Sequence, residues 1–426
     1  MKRVVILCVW LFSVVAGHAQ LSLDECRRLA RENYPEIRQY DLVHQTEQYN
    51  LSNAARAWIP QIAFSAQATW QTDAPNFPKE LTGMLAQQGL EIPGLRKDQY
   101  KVALELNQTI WDGGKSVADK RIARAEAAEQ KTMTDVDLYE LEGRVDDLYF
   151  GILLLDERIA QTNLTLNLLR SNLEKVRALQ RNGVAMMSVG DFIAAEFQCL
   201  GQQLIQFESS CDSYRRMLGI FIGQKVGDRK LQRPSAVQPL SGESARPELA
   251  MFAAKIDRLT AQEKMVKSSS MPRLGFFAQG YYGYPGLDYM QSMMNSDWSW
   301  NAMLGVKLSW NFGAYYTQKN NLNKLRISRQ QVEVQRDVFL FNMNLQAAQE
   351  NGDIARLRKA IADDDRIVAL RRSVREAAES KLRNGIIDTH DLLSKITDES
   401  TASMARRMRE IELLKAIYEY KHTINR

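Results

Sequence analysis

Cysteine and histidine are scarce in this chain, four of each in 426 residues. Cys8 and His18 fall in the first nineteen residues, which leaves Cys26, Cys199 and Cys211 beyond them. Cys199 and Cys211 stand twelve apart on a predicted helix. That is about 18 Å at 1.5 Å per residue, too far for a disulfide, so all three cysteines read as core residues. His44, His390 and His422 have no ligand spacing, and Met290, Met293 and Met294 read as loop residues near lipid rather than as a soft-metal site. Gly113-Gly114-Lys115-Ser116 fails as a phosphate loop, because Thr109 stands where that motif needs its first glycine. No nucleophile–base grouping stands out. The expectation is no enzyme, no metal and no cofactor.

Charge of one sign is also missing. Lysine and arginine number 56 against 51 acids; without Lys2 and Arg3 the balance is 54 against 51, or +3. A chain this near neutrality does not suggest nucleic acid. No apolar run beyond the start reaches the roughly 20 residues of a spanning helix. Residues 1–19 read as a secretory signal: Lys2 and Arg3, an apolar run from Val4 to Val15, and the small-residue cleavage site Gly17-His18-Ala19. No cysteine stands at the cleavage point to carry a lipid.

What is present is a repeat. Tyr34-Pro35-Glu36-Ile37 returns as Arg246-Pro247-Glu248-Leu249, and Ile59-Pro60-Gln61-Ile62 as Met271-Pro272-Arg273-Leu274. Ile110-Trp111-Asp112-Gly113-Gly114 is echoed by Ser309-Trp310-Asn311-Phe312-Gly313, and Arg181-Asn182-Gly183-Val184 by Arg383-Asn384-Gly385-Ile386. The order is conserved within the chain, and the offset is too long for a solenoid. The expected organisation is a first repeat over 20–226, a linker over 227–245 and a second repeat over 246–426.

Each repeat opens on a helix, then changes period from 3.6 to 2. Ile62, Phe64, Ala66, Ala68 and Trp70 alternate with polar residues, which predicts a strand over 61–71. After a loop rich in Pro and Gly, Val102, Leu104, Leu106 and Ile110 predict a second over 100–111. The second repeat predicts strands over 273–284 and 298–312, the latter with an apolar row from Trp298 to Phe312. Trp70, Trp111, Trp298, Trp300 and Trp310 gather at strand ends like a membrane aromatic girdle. A soluble sandwich also alternates, but the leader and the tryptophans favour a membrane barrel with a wet lumen. Four strands cannot close, since the smallest such barrels need about eight and open edges in lipid leave backbone groups unpaired. Partners must complete it, and copies of the same chain fit best.

Long helices follow. Leu138, Leu141, Val145, Leu148, Ile152, Leu155, Ile159, Leu166, Leu169, Leu173 and Val176 form a heptad seam broken only at Thr162 and Gln180. A helix over 115–181 would run about 100 Å. Asn182-Gly183 ends it, with a hairpin tip over 181–190, and a helix returns through 192–221. The second repeat predicts helices over 315–383 and 389–425 with a tip over 383–390, and a looser seam consistent with a stutter. Asp363-Asp364-Asp365 reads as a solvated charge run.

These pieces together resemble the TolC family of outer-membrane efflux proteins. The opening Leu21-Ser22-Leu23-Asp24-Glu25-Cys26…Asn33-Tyr34-Pro35-Glu36 resembles the family's entry motif, Trp58-Ile59-Pro60-Gln61 its helix-to-strand step, and Ile110-Trp111-Asp112-Gly113-Gly114 its strand-to-helix step. The resemblance implies an α+β membrane protein. It would be a homotrimer whose protomers each give four strands to a twelve-stranded transmembrane β-barrel in outer-membrane lipid. That barrel would continue into a long periplasmic coiled-coil helical barrel. The resemblance further implies a passive exit duct of a tripartite efflux or type I secretion system, docked to a periplasmic adaptor and an inner-membrane transporter. The adaptor would touch Asn182, Gly183 and Val184 at one tip and Asn384, Gly385 and Ile386 at the other. Asp391 falls where the family places a gating aspartate. The next one falls on Ser394, which leaves Asp388 as a substitute, and Asp191 is displaced in the first hairpin. Capping of a helix N-terminus remains the alternative for Asp391, Asp388 and Asp191. The alternative function is a trimeric coiled-coil structural or adhesive envelope protein with a small membrane anchor.

Overall fold

The computed structural model describes residues 20–89, 92–181, 186–235, 244–384, 386–387 and 389–425. The leader, Asn182, Gly183, Val184, Gly385 and Asp388 lie outside the described residues. The chain orders as α1 (Leu23–Asn33), a 3-10 turn (Pro35–Arg38), α2 (Gln39–Arg56), β1 (Gln61–Trp70), α3 (Lys79–Gln87), β2 (Asp98–Trp111), α4 (Lys115–Arg181), α5 (Met187–Ile222), α6 (Pro247–Ser268), β3 (Arg273–Tyr284), α7 (Tyr289–Met294), β4 (Ser299–Ser309), α8 (Gly313–Arg383) and α9 (Thr389–Ile424). Two compact units result: residues 41–130 with 252–333, and residues 1–40, 131–251 and 334–426. Each draws on both halves of the sequence.

The first unit holds a four-stranded antiparallel sheet in the order β1-β2-β3-β4. Its register joins Phe64, Leu104, Gly280 and Ala302 in one row, and Ile62, Leu106, Ala278 and Leu304 in the next. Period-2 patterning in all four strands thus produces one apolar face. β4 ends at Ser309, short of the expected 312. Trp310 and Phe312 lie in the turn beyond it, and their rings pack at 4.7 Å. Two helices were not anticipated in the connecting loops. α3 starts after Pro78, and α7 is capped by Asp288, whose side chain accepts the Gln291 N–H at 2.9 Å.

The second unit is built on the heptad seam of α4. Leu138, Leu141, Val145, Leu148 and Ile152 are buried, as are Tyr149 and Phe150. They pack with Leu21, Leu23, Cys26 and Ala30 on the α1 side, and with Cys211, Leu218 and Ile222 of α5. Ser22 caps α1 by accepting the Glu25 N–H at 3.2 Å. Arg27 of α1 then pairs with Asp146 of α4. Burial pushes the Asp146 carboxyl up, against the pull of the Arg27 guanidinium. A smaller cluster joins Ile354 and Leu357 of α8 to Ala416 and Ile417 of α9. Beyond the stutter, Ile367, Leu370 and Val374 face solvent in the single chain. Two expectations are corrected. Cys199 is exposed, because it sits on the solvent face of α5. Asp364 is buried rather than solvated, paired with Arg409 of α9.

Candidate functional site

The sheet presents two chemically opposite faces. On one, Ile62, Phe64, Leu104, Leu304, Val306 and Leu308 are all more than half exposed. Such a contiguous exposed apolar face marks an interaction surface. Aromatics bound it at both ends. At the end joined by α3 and α7 stand Trp70, Tyr100, Tyr282, Trp298 and Trp300. Tyr100 stacks on Trp298 at 5.7 Å, and Tyr282 meets Trp298 and Trp300 at 5.3 and 5.0 Å. At the other end stand Trp111 and Trp310. Eight strand steps separate Leu274 from Tyr282, about 27 Å at 3.4 Å a step, comparable with the roughly 25 Å apolar band of outer-membrane barrels.

The opposite face is polar and internally bonded. Lys101 donates to Gln279 at 3.1 Å, and Gln279 donates to Glu105. Phe277 and Tyr281 interrupt this face, yet both are put to use. The Lys101 ammonium sits 4.6 Å from the Tyr281 ring centre. The Phe277 ring covers Gly305, where a Cβ would come within 3.0 Å of it.

The two turns between sheet and long helix lie near equivalent places in the repeat but are built differently. In the first, Asp112 accepts from the N–H groups of Gly114 and Ser116 at 2.9 and 2.6 Å. Gly113 and Gly114 take positive φ, and a Cβ on Gly113 would come within 2.7 Å of Met271. Trp58 donates its indole N–H to Ser116 at 3.0 Å. In the second, Trp310 donates instead to the backbone carbonyl of Ser270 at 3.0 Å, and Gln318 to the Ser270 hydroxyl at 2.9 Å.

The helix ends lie in the other unit. α4 stops at Arg181 and α5 begins at Met187, where Gln180 donates to the Met186 carbonyl at 2.9 Å. Asp191 lies exposed within the first turns of α5. α8 stops at Arg383. The Asn384 amide donates to the Ser380 carbonyl at 3.0 Å, and the Ile386 N–H reaches back to the Lys381 carbonyl at 2.9 Å, which closes the helix. Ile386 is 68% exposed. Asp391 is exposed in the first turn of α9. Of the two sets of tip residues, therefore, Asn384 and Ile386 are placed together at one helix end.

Elsewhere in this unit a hollow of about 540 Å³ is lined by Asp146, Asp147, Glu350, Asp353, Lys415 and His422. Two of its carboxylates are paired: Lys415 binds Asp147 at 2.9 Å, and Asp146 pairs with Arg27 of α1. His422 stacks on Tyr139 at 4.2 Å. Burial, with the charges of Arg246 and Arg27, pushes its imidazole down to about 4.

A family model described as outer membrane efflux protein matches residues 27–203, from α1 into α5. No curated protein sequence matches the chain. Among solved structures, the outer-membrane channel OprN is similar at 14% identity and TM-score 0.68, over 94% of this chain and 89% of that one. CusC is similar at 13% identity and TM-score 0.67, over 95% and 92%. The CmeC outer membrane channel of Campylobacter jejuni is similar at 14% identity and TM-score 0.64, over 94% and 85%. At such identities the likeness is one of fold.

Proposed function

We propose that the chain is an outer membrane efflux protein, acting as the outer-membrane exit duct of a tripartite efflux or type I secretion system. Three copies each contribute β1 to β4 to one twelve-stranded barrel, and their long helices form the periplasmic tunnel. Substrates pass without chemistry in the duct, and the inner-membrane transporter supplies the energy.

The observation that carries this reading is the sheet. Its apolar face is exposed and bounded by aromatics at both ends. Among the described residues, β1 and β4 each have a neighbour on one side only. In lipid those edges demand partners, at several kcal/mol per unpaired group. Exposed apolar positions at heptad spacing on α8, namely Val334, Val338, Phe341 and Leu345, support further helix contacts between copies.

At the periplasmic end, Ile386 and Asn384, with Val184, Gly183, Asn182 and Gly385, form the adaptor's docking points. Asp391 is the gate carboxylate, with Asp388 and Asp191 beside the constriction. A ring of three carboxylates attracts cations and repels itself, which favours a site that cations occupy and block. The test is single-channel recording in planar bilayers. The native protein should show low basal conductance with cation block, and Asp391→Ala should raise the conductance or weaken the block. Unchanged behaviour in the variant would remove Asp391 from the gate. Cleavage of the helices by protease added to intact cells would contradict the duct and favour an adhesive coiled coil.

A further inference from the structure

With cleavage after Ala19, the mature chain begins at Gln20. We infer that Gln20 closes on itself to a pyroglutamyl lactam, giving the mature protein a neutral, blocked N-terminus. The inference rests on the reading of residues 1–19 as a removed leader.

The fold grips the chain from the next residue on. Leu21 is buried and pairs with Leu231 in a parallel bridge. Its carbonyl accepts the Gln232 N–H at 3.1 Å and lies 2.7 Å from the hydroxyl of the fully buried Tyr149. Ser22 caps α1 and Leu23 is buried in its first turn. Gln20 itself is exposed, one residue before this lock, so solvent-filled space surrounds the five-membered closure of its side chain on its own amine.

Two physical terms favour closure. An α-amino group has a pKa of about 8, so a useful fraction is neutral and nucleophilic near neutral pH. The amine also stands two residues before the cap of α1, beside the helix end that carries about half a positive charge. Removing its charge removes that repulsion. The step needs no co-reactant. The amine nitrogen attacks Cδ of the Gln20 carboxamide, the new N–Cδ bond forms as the Cδ–Nε2 bond breaks, and Nε2 leaves as ammonia with a proton from the amine. The product resists enzymes that require a free N-terminal amine, and so keeps the Leu21 lock from being trimmed.

The test uses the full chain isolated from the membranes of the producing cell. Free amines are labelled on the intact protein at once, before trypsin, and the peptide ending at Arg27 is weighed. The expected peptide is unlabelled and lighter than Gln20–Arg27 by one ammonia, while Gln20→Ala is labelled at its first residue. A labelled, full-mass Gln20–Arg27 peptide would overturn the cyclisation and leave the leader reading intact. A first residue other than Gln20 would overturn both.

Discussion

The two helical hairpins, α4 with α5 and α8 with α9, are closed by different forces. Between α4 and α5 the contact is mainly apolar: Cys211, Leu218 and Ile222 of α5 join the buried seam of α4. Arg158 and Arg170 lie over the rings of Phe207 and Phe197, and Arg215 clamps Asp156 at 2.8 Å. Between α8 and α9 charge does most of the work. Arg371 meets Asp398 at 2.8 Å and Arg372 meets Glu399 at 3.2 Å. Arg375 also binds Glu399, Arg406 binds Asp365, and Arg409 binds Asp364. Apolar burial is not weakened by charge screening, whereas exposed ion pairs are. The first hairpin should thus respond less to solution conditions than the second, a difference in keeping with the proposal of a gate in the second hairpin.

The comparison breaks most readily in the core. Leu218→Ala should cost about 2–5 kcal/mol, read as a lower melting temperature of the detergent-solubilised protein. A loss well under 1 kcal/mol would show that the α4–α5 contact is not held by burial. Arg27→Met should come next, because it strands Asp146 at 9% side-chain exposure; leaving a buried charge unpaired costs about 3 kcal/mol or more. Rescue by Asp146→Asn in the same chain would locate the cost in the stranded carboxylate.

The pH dependence sharpens the contrast. His422 has a folded pKa of about 4 against an ordinary 6.5. On acidification the unfolded chain takes up the proton first, so stability held above pH 6.5 is lost as pH falls towards 4. His422→Gln should remove that slope in thermal melts. Glu399 sits below its ordinary 4.5: its modest burial pushes it up, but the guanidinium groups of Arg375 and Arg372 outweigh that. The stability it lends is present above pH 4.5 and drains as pH falls through the depressed value. Hydrogen exchange below pH 4 should therefore quicken in α8 and α9 before α4 and α5. The smallest effect is that of salt. At about 1 M the Debye length shrinks to roughly 3 Å, and exchange should rise selectively in the second hairpin, whose exposed pairs are each individually weak.

The elements were legible where a period runs long. The α4 seam from Leu138 to Ile152 and the alternation of β1 to β4 follow directly from residue order, because burial of one face forces it. The short helices of the outer loops were not, although Asp288 at a cap position was a readable sign of α7. The burial of Asp364 could not be read locally, since it depends on Arg409, which only the hairpin brings near. Cys199 misled for a related reason: residue type predicts burial, while the helical face decides it. For the candidate site the limits differ. Trp70, Trp298 and Trp300 suggest a girdle by type and spacing alone. Asp391 carries no local mark beyond its place after a helix stop, and its role comes from resemblance.

In the proposed barrel, the four strands, with two edges open among the described residues, are completed by two further copies. The mass of the protein extracted from outer membranes in mild detergent, weighed intact by native mass spectrometry, tests this most directly. Three chains per particle are expected; a particle of one, two or four chains would contradict the shared barrel.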